Sequence, residues 1–539
     1  MQMFLVVATV LLAVVVSGTG QRCASTPAHA VCSVVAFGAR GDGKTDDTGP
    51  IQEALACAAC DVVVLPFGGV FVARGVNLSS NTELRVETGA VLMGAASVAG
   101  WPLVDALPSY PLSRDHNSQP RYQALIAGYD VVNVSISGGG RIDGRGEMWW
   151  RAVRKHELSM QRPPLIEIVG GVGVRITELE LKDSPYYHIH PYMCRGVVVD
   201  RVRIDAPLGS PNTDGIDPDS SSDVRITRCT ISSGDDHISL KAGKGWEGYA
   251  WGVPTERVLI ADNIFHHGAG IAIGSETGGG IADVVVSNAT LDASQSAVRF
   301  KTCPTYGRGM TNVTYDGVVG IGLLDGLFVD MAYECGAANA SLPAPIFASV
   351  TLRNLQLDGI GRAGAITCLP SGCRNWRLAD VHVASIEGWT VTPGGMLVSR
   401  YRKYGREEEA QLAVQREESM RRLAEAKAAR AQVEEMKGAM VAQFTAMGRE
   451  METVTERMKV EERRLEEGID SVFAAARSSA RAHAIRQAVD ELDAKERELL
   501  GQPPTAPPVT PPTSTDGAGA DAAASATVSG KGDLRGRRG

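Results

Sequence analysis

Asp214 in Asn212-Thr-Asp-Gly215, the pair Asp235 and Asp236 in Gly234-Asp-Asp-His237, and the cations of Arg299-Phe-Lys301 are the residues whose types and spacing suit chemistry. Carboxylates held close together cannot all ionise easily, so one keeps its proton to higher pH and can act as an acid. Two cations beside them would hold a negatively charged substrate. Together these groups suit acid-catalysed hydrolysis of an anionic polymer. A single Asn-Thr-Asp-Gly is a common corner, so the reading depends on a fold that brings the three segments together.

A repeat supplies such a fold. Between about Val131 and Val383 the same short pattern of apolar alternation recurs, at Val134-Ser-Ile136, Val174-Arg-Ile176, Val197-Val-Val199, Val224-Arg-Ile226, Val258-Leu-Ile260, Val284-Val-Val286 and Val350-Thr-Leu352. Alternation of period two, with Gly, Asn, Asp and Ser in the gaps, predicts short half-buried strands. Recurrence mostly every 23 to 40 residues predicts a stacked solenoid whose turns bury their apolar faces against one another. Sixty glycines and 5% aromatic residues suit tight corners around a thin aliphatic core. The expected fold is therefore all-β, a single-stranded parallel β-helix.

On such a fold the charged segments align. Asp214 and Asp235 are 21 residues apart, close to one coil, and Asp235 and Ala269 each lie 11 residues after their strand anchors Val224 and Val258. Arg299 and Lys301 fall one coil further on. Two residues apart on a strand, they point to the same face. Equivalent positions on successive coils stack about 4.8 Å apart, which would gather three carboxylates and two cations into one cleft.

The ends of the chain follow other rules. Residues Met3 to Val16 are almost wholly apolar, with small residues at Ser17, Gly18 and Gly20. That stretch is too short for a membrane span and predicts a secretory signal over 1–20. All ten cysteines lie between Cys23 and Cys373, as expected of disulfides formed in an oxidising compartment. Cys368 and Cys373 are near enough to close a small loop. Cys57 and Cys60 lack the partners of a zinc site, and no metal or cofactor is expected. Sequons at Asn77, Asn133, Asn288, Asn312 and Asn339 would be glycosylation sites in a eukaryotic secretory pathway. A net charge of −8, with no basic run interleaved with aromatics, argues against nucleic acid as a partner.

The β-helix is expected to occupy 21–398. From about Ser399 to Leu500 the composition turns to Ala, Glu, Arg, Lys, Gln and Met. Met440, Phe444, Met447, Met451, Val454 and Met458 alternate steps of four and three, a coiled-coil seam resumed by Ile485, Val489, Leu492 and Leu499. The expectation is a long helix over 399–500 that self-associates, and a disordered Pro-, Ala- and Ser-rich tail over 501–539.

Gly38-Ala-Arg-Gly-Asp-Gly-Lys-Thr45 matches a phosphate-binding loop in wording. Asp42, Asp46 and Asp47 crowd it with negative charge and would repel phosphate. It reads instead as a turn, with Asp47 or Thr48 as N-cap of a helix that closes the N-terminal end of the solenoid.

Asn212-Thr-Asp-Gly-Ile-Asp217, Gly234-Asp-Asp236, Gly268-Ala-Gly-Ile-Ala-Ile-Gly-Ser275 and Arg299-Phe-Lys301 together resemble the four ordered motifs of the polygalacturonases, the pectin-degrading glycoside hydrolases of family 28. Phe37 to Asp47 also resembles the capping segment of pectin-acting β-helices. The likeness covers roughly residues 30 to 395. It implies a right-handed β-helix, a secreted enzyme of the cell wall, and hydrolysis of α-1,4-galacturonan with inversion. Asp235 would then be the general acid, Asp214 and Asp236 would activate water, and Arg299 and Lys301 would bind a galacturonate carboxylate. Adjacent coils imply carboxylates nearer than the roughly 6.5–9.5 Å usual for inversion; the resemblance nonetheless implies inversion. Ala269 stands where the third motif usually has histidine, and Phe300 stands for the usual isoleucine, expected to point into the core. His237 is expected to pack rather than react. The alternatives are a hydrolase of rhamnogalacturonan or substituted galacturonan, and a non-catalytic pectin-binding β-helix.

Overall fold

The computed structural model describes Cys23, residues 29–110, 120–333 and 342–391, and a few isolated positions between 457 and 495. The signal segment, most of the 399–500 helix and the tail lie outside the described residues. The chain divides into two units, Met1–Gln432 and Val433–Gly539. In the second, the described positions, such as Arg457, His483 and Lys495, are helical and exposed.

The first unit is a parallel β-helix, in which the strands of each coil pair in parallel with the equivalent strands of the next. The expected anchors are in register, Val134 with Val174, Val197, Val224, Val258 and Val284 in turn. Val313-Thr-Tyr315, absent from the sequence repeat as read, fills the coil between Val284 and Val350. All these anchors are buried, and they form one aliphatic core running along the coils. The core depends on register, because a one-residue slip would turn every anchor to solvent.

The corners repeat as regularly as the strands. One residue just before each anchor takes the left-handed conformation: Asn133, Gly173, Gly196, Asp223, Arg257, Asp283, Asn312 and Ser349. Asn and Asp tolerate this region and Gly enters it freely, which is why turn residues fill the gaps of the repeat.

Short elements close and thicken this frame. The helix Thr48–Ala56 buries Ile51, Ala54 and Leu55 near the N-terminal coils, as expected. Asp47 is its N-cap residue but makes no side-chain capping bond. Its carboxylate accepts instead from the backbone N–H groups of Arg40 and Gly41. Asp42 likewise accepts from Lys44 and Thr45. Aspartates thus take up the N–H groups that a phosphate would need, and where a turn was expected Asp42–Asp46 is a short strand paired in parallel with Val70–Ala73.

Disulfides Cys23–Cys57 and Cys32–Cys60 tie this end, and Cys368–Cys373 closes the small loop foreseen near the other. Cys303 is also disulfide-bonded. The even cysteine count misleads at two positions: Cys194 and Cys229 are buried free thiols on the coils. Cysteine packs there as a small apolar residue.

One excursion matters for the site. Between the coils, Leu103–Val104 pairs antiparallel with Arg121–Tyr122. Trp101 and Tyr122 pack edge-on against the fully buried Trp149 of the helix Glu147–Arg154. This excursion carries Ala106, Leu107 and Tyr110 to the edge of a cleft over one parallel sheet.

Candidate active site

The sheet under the cleft stacks Ile189–Tyr192, the bridged residues Ile216 and Asp219, and then Ile238–Leu240, Gly268–Ile273, Ser294–Lys301 and Asp325–Asp330. Ile216 pairs with Ile238, so the coil here is 22 residues, one more than the Asp214–Asp235 spacing. Asp214 therefore stacks on Asp236, and Asp235 sits one position earlier at the cleft wall. The carboxylates of Asp214, Asp235 and Asp236 still converge, with an oxygen of each within 4.8 Å of the others.

Arg299 and Lys301 arrive from two coils beyond Asp236. Between them lies Gly268–Ile273 with the following Gly274, where Ala272 pairs with Arg299. Small residues on that coil leave open the space through which the long cations reach back. Lys301 Nζ donates to Asp236 Oδ2 at 2.7 Å, and Arg299 Nε lies 3.3 Å from Asp236 Oδ1. Aromatic rings steady both cations, Phe328 under Arg299 and Tyr333 under Lys301. Phe300 points the opposite way, fully buried against Tyr315, Phe347 and Trp376.

These contacts separate the three carboxyls electrostatically. Burial works to raise the Asp236 carboxyl, but Lys301, Arg299 and Lys241 outweigh it and hold the group below the usual carboxylate range. Asp235 moves up, through burial and the adjacent charge of Asp236. Asp214 is pushed well up by burial and by Asp217 and Asp235. The arrangement thus joins one carboxylate kept ionised to two carboxyls that hold protons to higher pH. That division is what an acid and a base in one site require.

The cleft encloses about 970 Å³ counting its open mouth, and all three aspartates and Lys301 line it. Tyr186 and Tyr187 stack at 3.9 Å on one wall.

Several site residues were not singled out from sequence. Lys241 lies buried among Ser239, Asp214 and Glu276, with Nζ 3.1 Å from Ser239 Oγ. Glu276, beside that lysine, is drawn down to about 2: burial opposes its ionisation, and Lys241 and Lys244 overcome it. Asp217 is fully buried, and neither of its oxygens has a hydrogen-bond partner among the described residues. Asp217 stood inside a quoted motif, and Lys241 sits two residues beyond Ser239 on the same strand face. That spacing was the available signal.

The histidines behave as packing residues. His237 is fully buried, packs on Phe265, and places Nε2 3.1 Å from the His266 carbonyl. Burial lowers it to about 4, so it is neutral near pH 7. His266 pairs with Asp292 and His267 bonds the Ala206 carbonyl. Neither replaces an imidazole at Ala269, whose N–H donates to the Asp235 carbonyl at 2.8 Å. A metal ion among the aspartates would compete with the ammonium and guanidinium groups that already face Asp214 and Asp236.

Converging carboxylates over a parallel β-helix define a carbohydrate-active enzyme of the glycoside hydrolase type. The chain belongs to the glycosyl hydrolases of family 28, which residues 79–392 match. It is 33% identical over 364 residues to a probable polygalacturonase of Vitis vinifera, spanning 64% of this chain and 72% of that protein. It is 27% identical over 372 residues to a polygalacturonase of Gossypium barbadense, spanning 65% and 83%. The fold is similar to an exopolygalacturonase of Thermotoga maritima, with a TM-score of 0.56 at 23% identity over 70% of this chain and 94% of the other.

Proposed function

We propose that this glycoside hydrolase cleaves the α-1,4-galacturonosyl linkages of pectin, with Asp235 as general acid and Asp214 and Asp236 activating water. The observation that carries the reading is the division of charge within one cleft: Asp236 paired at 2.7 Å with Lys301, and Asp235 beside it with its carboxyl raised. Asp235 is the least buried of the three and lines the cleft, where its proton can meet a glycosidic oxygen. Lys301 lines the same space, with Arg299 behind it against Asp236, and the positive charge of the pair favours a galacturonate carboxylate. Three described disulfides and the polymeric substrate support secretion to the cell wall.

Release of reducing ends from polygalacturonate tests the assignment. Asp235→Asn removes the acid and should lower the rate at least about 10²-fold; equal rates for the two proteins would refute it. Inversion at the anomeric carbon is the expected outcome from the family. Carboxylate oxygens within 4.8 Å are nearer than that outcome usually shows. Proton NMR of the first-formed anomer decides between inversion and retention.

A further inference from the structure

Asp214 faces a difficulty that Asp236 does not. Lys301 and Arg299 are both committed to Asp236. Asp214 is buried, its Oδ1 has no hydrogen-bond partner among the described residues, and Asp217, Asp235 and Asp236 surround it with negative charge. A carboxylate in that position gives up its charge unless a cation stands near. Lys241 supplies one. Its Nζ lies 3.7 Å from Asp214 Oδ2 and 3.6 Å from Glu276 Oε2, nearly midway between the two anions. Ser239 Oγ and the face of Tyr187 hold the ammonium there.

We propose that Lys241 is a positioning residue of the reaction: its ammonium, shared between Asp214 and Glu276, opposes the burial and like charges that hold a proton on Asp214, and so sets the pH at which Asp214 can activate water. The proposal rests on the reading of Asp214 as a water activator. Neither contact is a short hydrogen bond, so the ammonium answers to the charge on both sides. Removing Glu276 strengthens the net hold on Asp214; removing Lys241 abolishes it. The other titratable groups facing this pair are Asp217, Asp235, Asp236, Arg162, Tyr187, Lys244 and Lys301. All are present in every variant compared, so the sign of each effect comes from the residue changed.

The experiment uses the full chain and the variants Lys241→Met, Lys241→Arg and Glu276→Gln. The pH profile of kcat/KM on polygalacturonate is read beside the ¹³C carboxyl titration of Asp214 in the substrate-free protein. Without Lys241 the ionised form of Asp214 loses its support. The acid limb and the Asp214 titration should therefore both move up by about one pH unit or more in Lys241→Met. Both should move down in Glu276→Gln, and Lys241→Arg should stay near wild type. Should Lys241→Met fail to fold, the opposite-signed shift in Glu276→Gln still decides. A raised KM with an unmoved acid limb would make Lys241 a substrate contact and overturn the proposal, as would shifts of the same sign in both variants. A wild-type protein inert on polygalacturonate would refute the proposed function. The substrate-free titration would still judge Lys241.

Discussion

The contact between Lys301 and Asp236 allows a quantitative test of how the site is held. Both side chains are at least nine-tenths buried and 2.7 Å apart. Truncating one partner of a buried pair leaves the other charge uncompensated, at a cost of about 3–5 kcal/mol. Arg299 remains beside Asp236 at 3.3 Å, which places Lys301→Met near the lower end of that range. Removing both charges leaves no stranded anion, and neutral replacements of buried pairs are often nearly isoenergetic. The double variant Lys301→Met/Asp236→Asn should therefore recover at least about 2 kcal/mol of the loss. Urea unfolding of the wild type, both single variants and the double variant at pH 7 closes the cycle. The acid arm gives an independent check. The Asp236 carboxyl is held below its usual range in the fold, so its stabilising contribution is present above the unfolded-state value and is lost as pH falls. The penalty of Lys301→Met should shrink accordingly on acidification. Additive single-variant losses, or a penalty that does not change with pH, would refute the account of Asp236 as an anion held by Lys301.

Further outcomes follow from other parts of the structure. Phe300→Ala empties a fully buried site among Tyr315, Phe347 and Trp376 and should cost about 3–5 kcal/mol in urea unfolding. Gly274 has φ +92°, and an added methyl there would strike the Lys301 carbonyl oxygen. Gly274→Ala should thus displace the strand that carries Lys301 and lower kcat at least about 10-fold, measured on polygalacturonate. Glu167 is fully buried between Arg121 and His190. Burial opposes its ionisation, but those partners prevail and lower it from 4.5 to about 2. The stability it contributes is complete above pH 4.5 and lost as pH falls toward 2. Glu167→Gln should be less stable than wild type at pH 7, and unfolding curves should show the gap narrowing between pH 4.5 and 2.

Much of this architecture was legible in the chain. Period-two alternation at Val134, Val174 and their successors identified the coils, because a strand face buried against its neighbours cannot tolerate a polar residue in that phase. Two-residue spacing put Arg299 and Lys301 on one face and turned Phe300 into the core for the same reason. Charge and the helix cap argued against a phosphate at the Gly38–Thr45 loop, where Asp47 and Asp42 accept backbone N–H bonds. The missed coil at Val313 differs in kind: Tyr315 is a larger apolar residue at the third position, so the aliphatic pattern passed over it.

Strand alternation and corner chemistry are local properties, so the sequence by itself determined that coils form, which faces they bury and which charged residues turn outward. Coil length is not local. The 22-residue turn that stacks Asp214 on Asp236 depends on how the chain closes each corner. Tertiary structure alone decided that Lys301 reaches across two coils to Asp236, through the gap left by Ala272 and Gly274. It also brought Lys241 and Glu276 to the carboxylates. Which charges meet is set by distances between coils, and those distances decide which aspartate stays ionised.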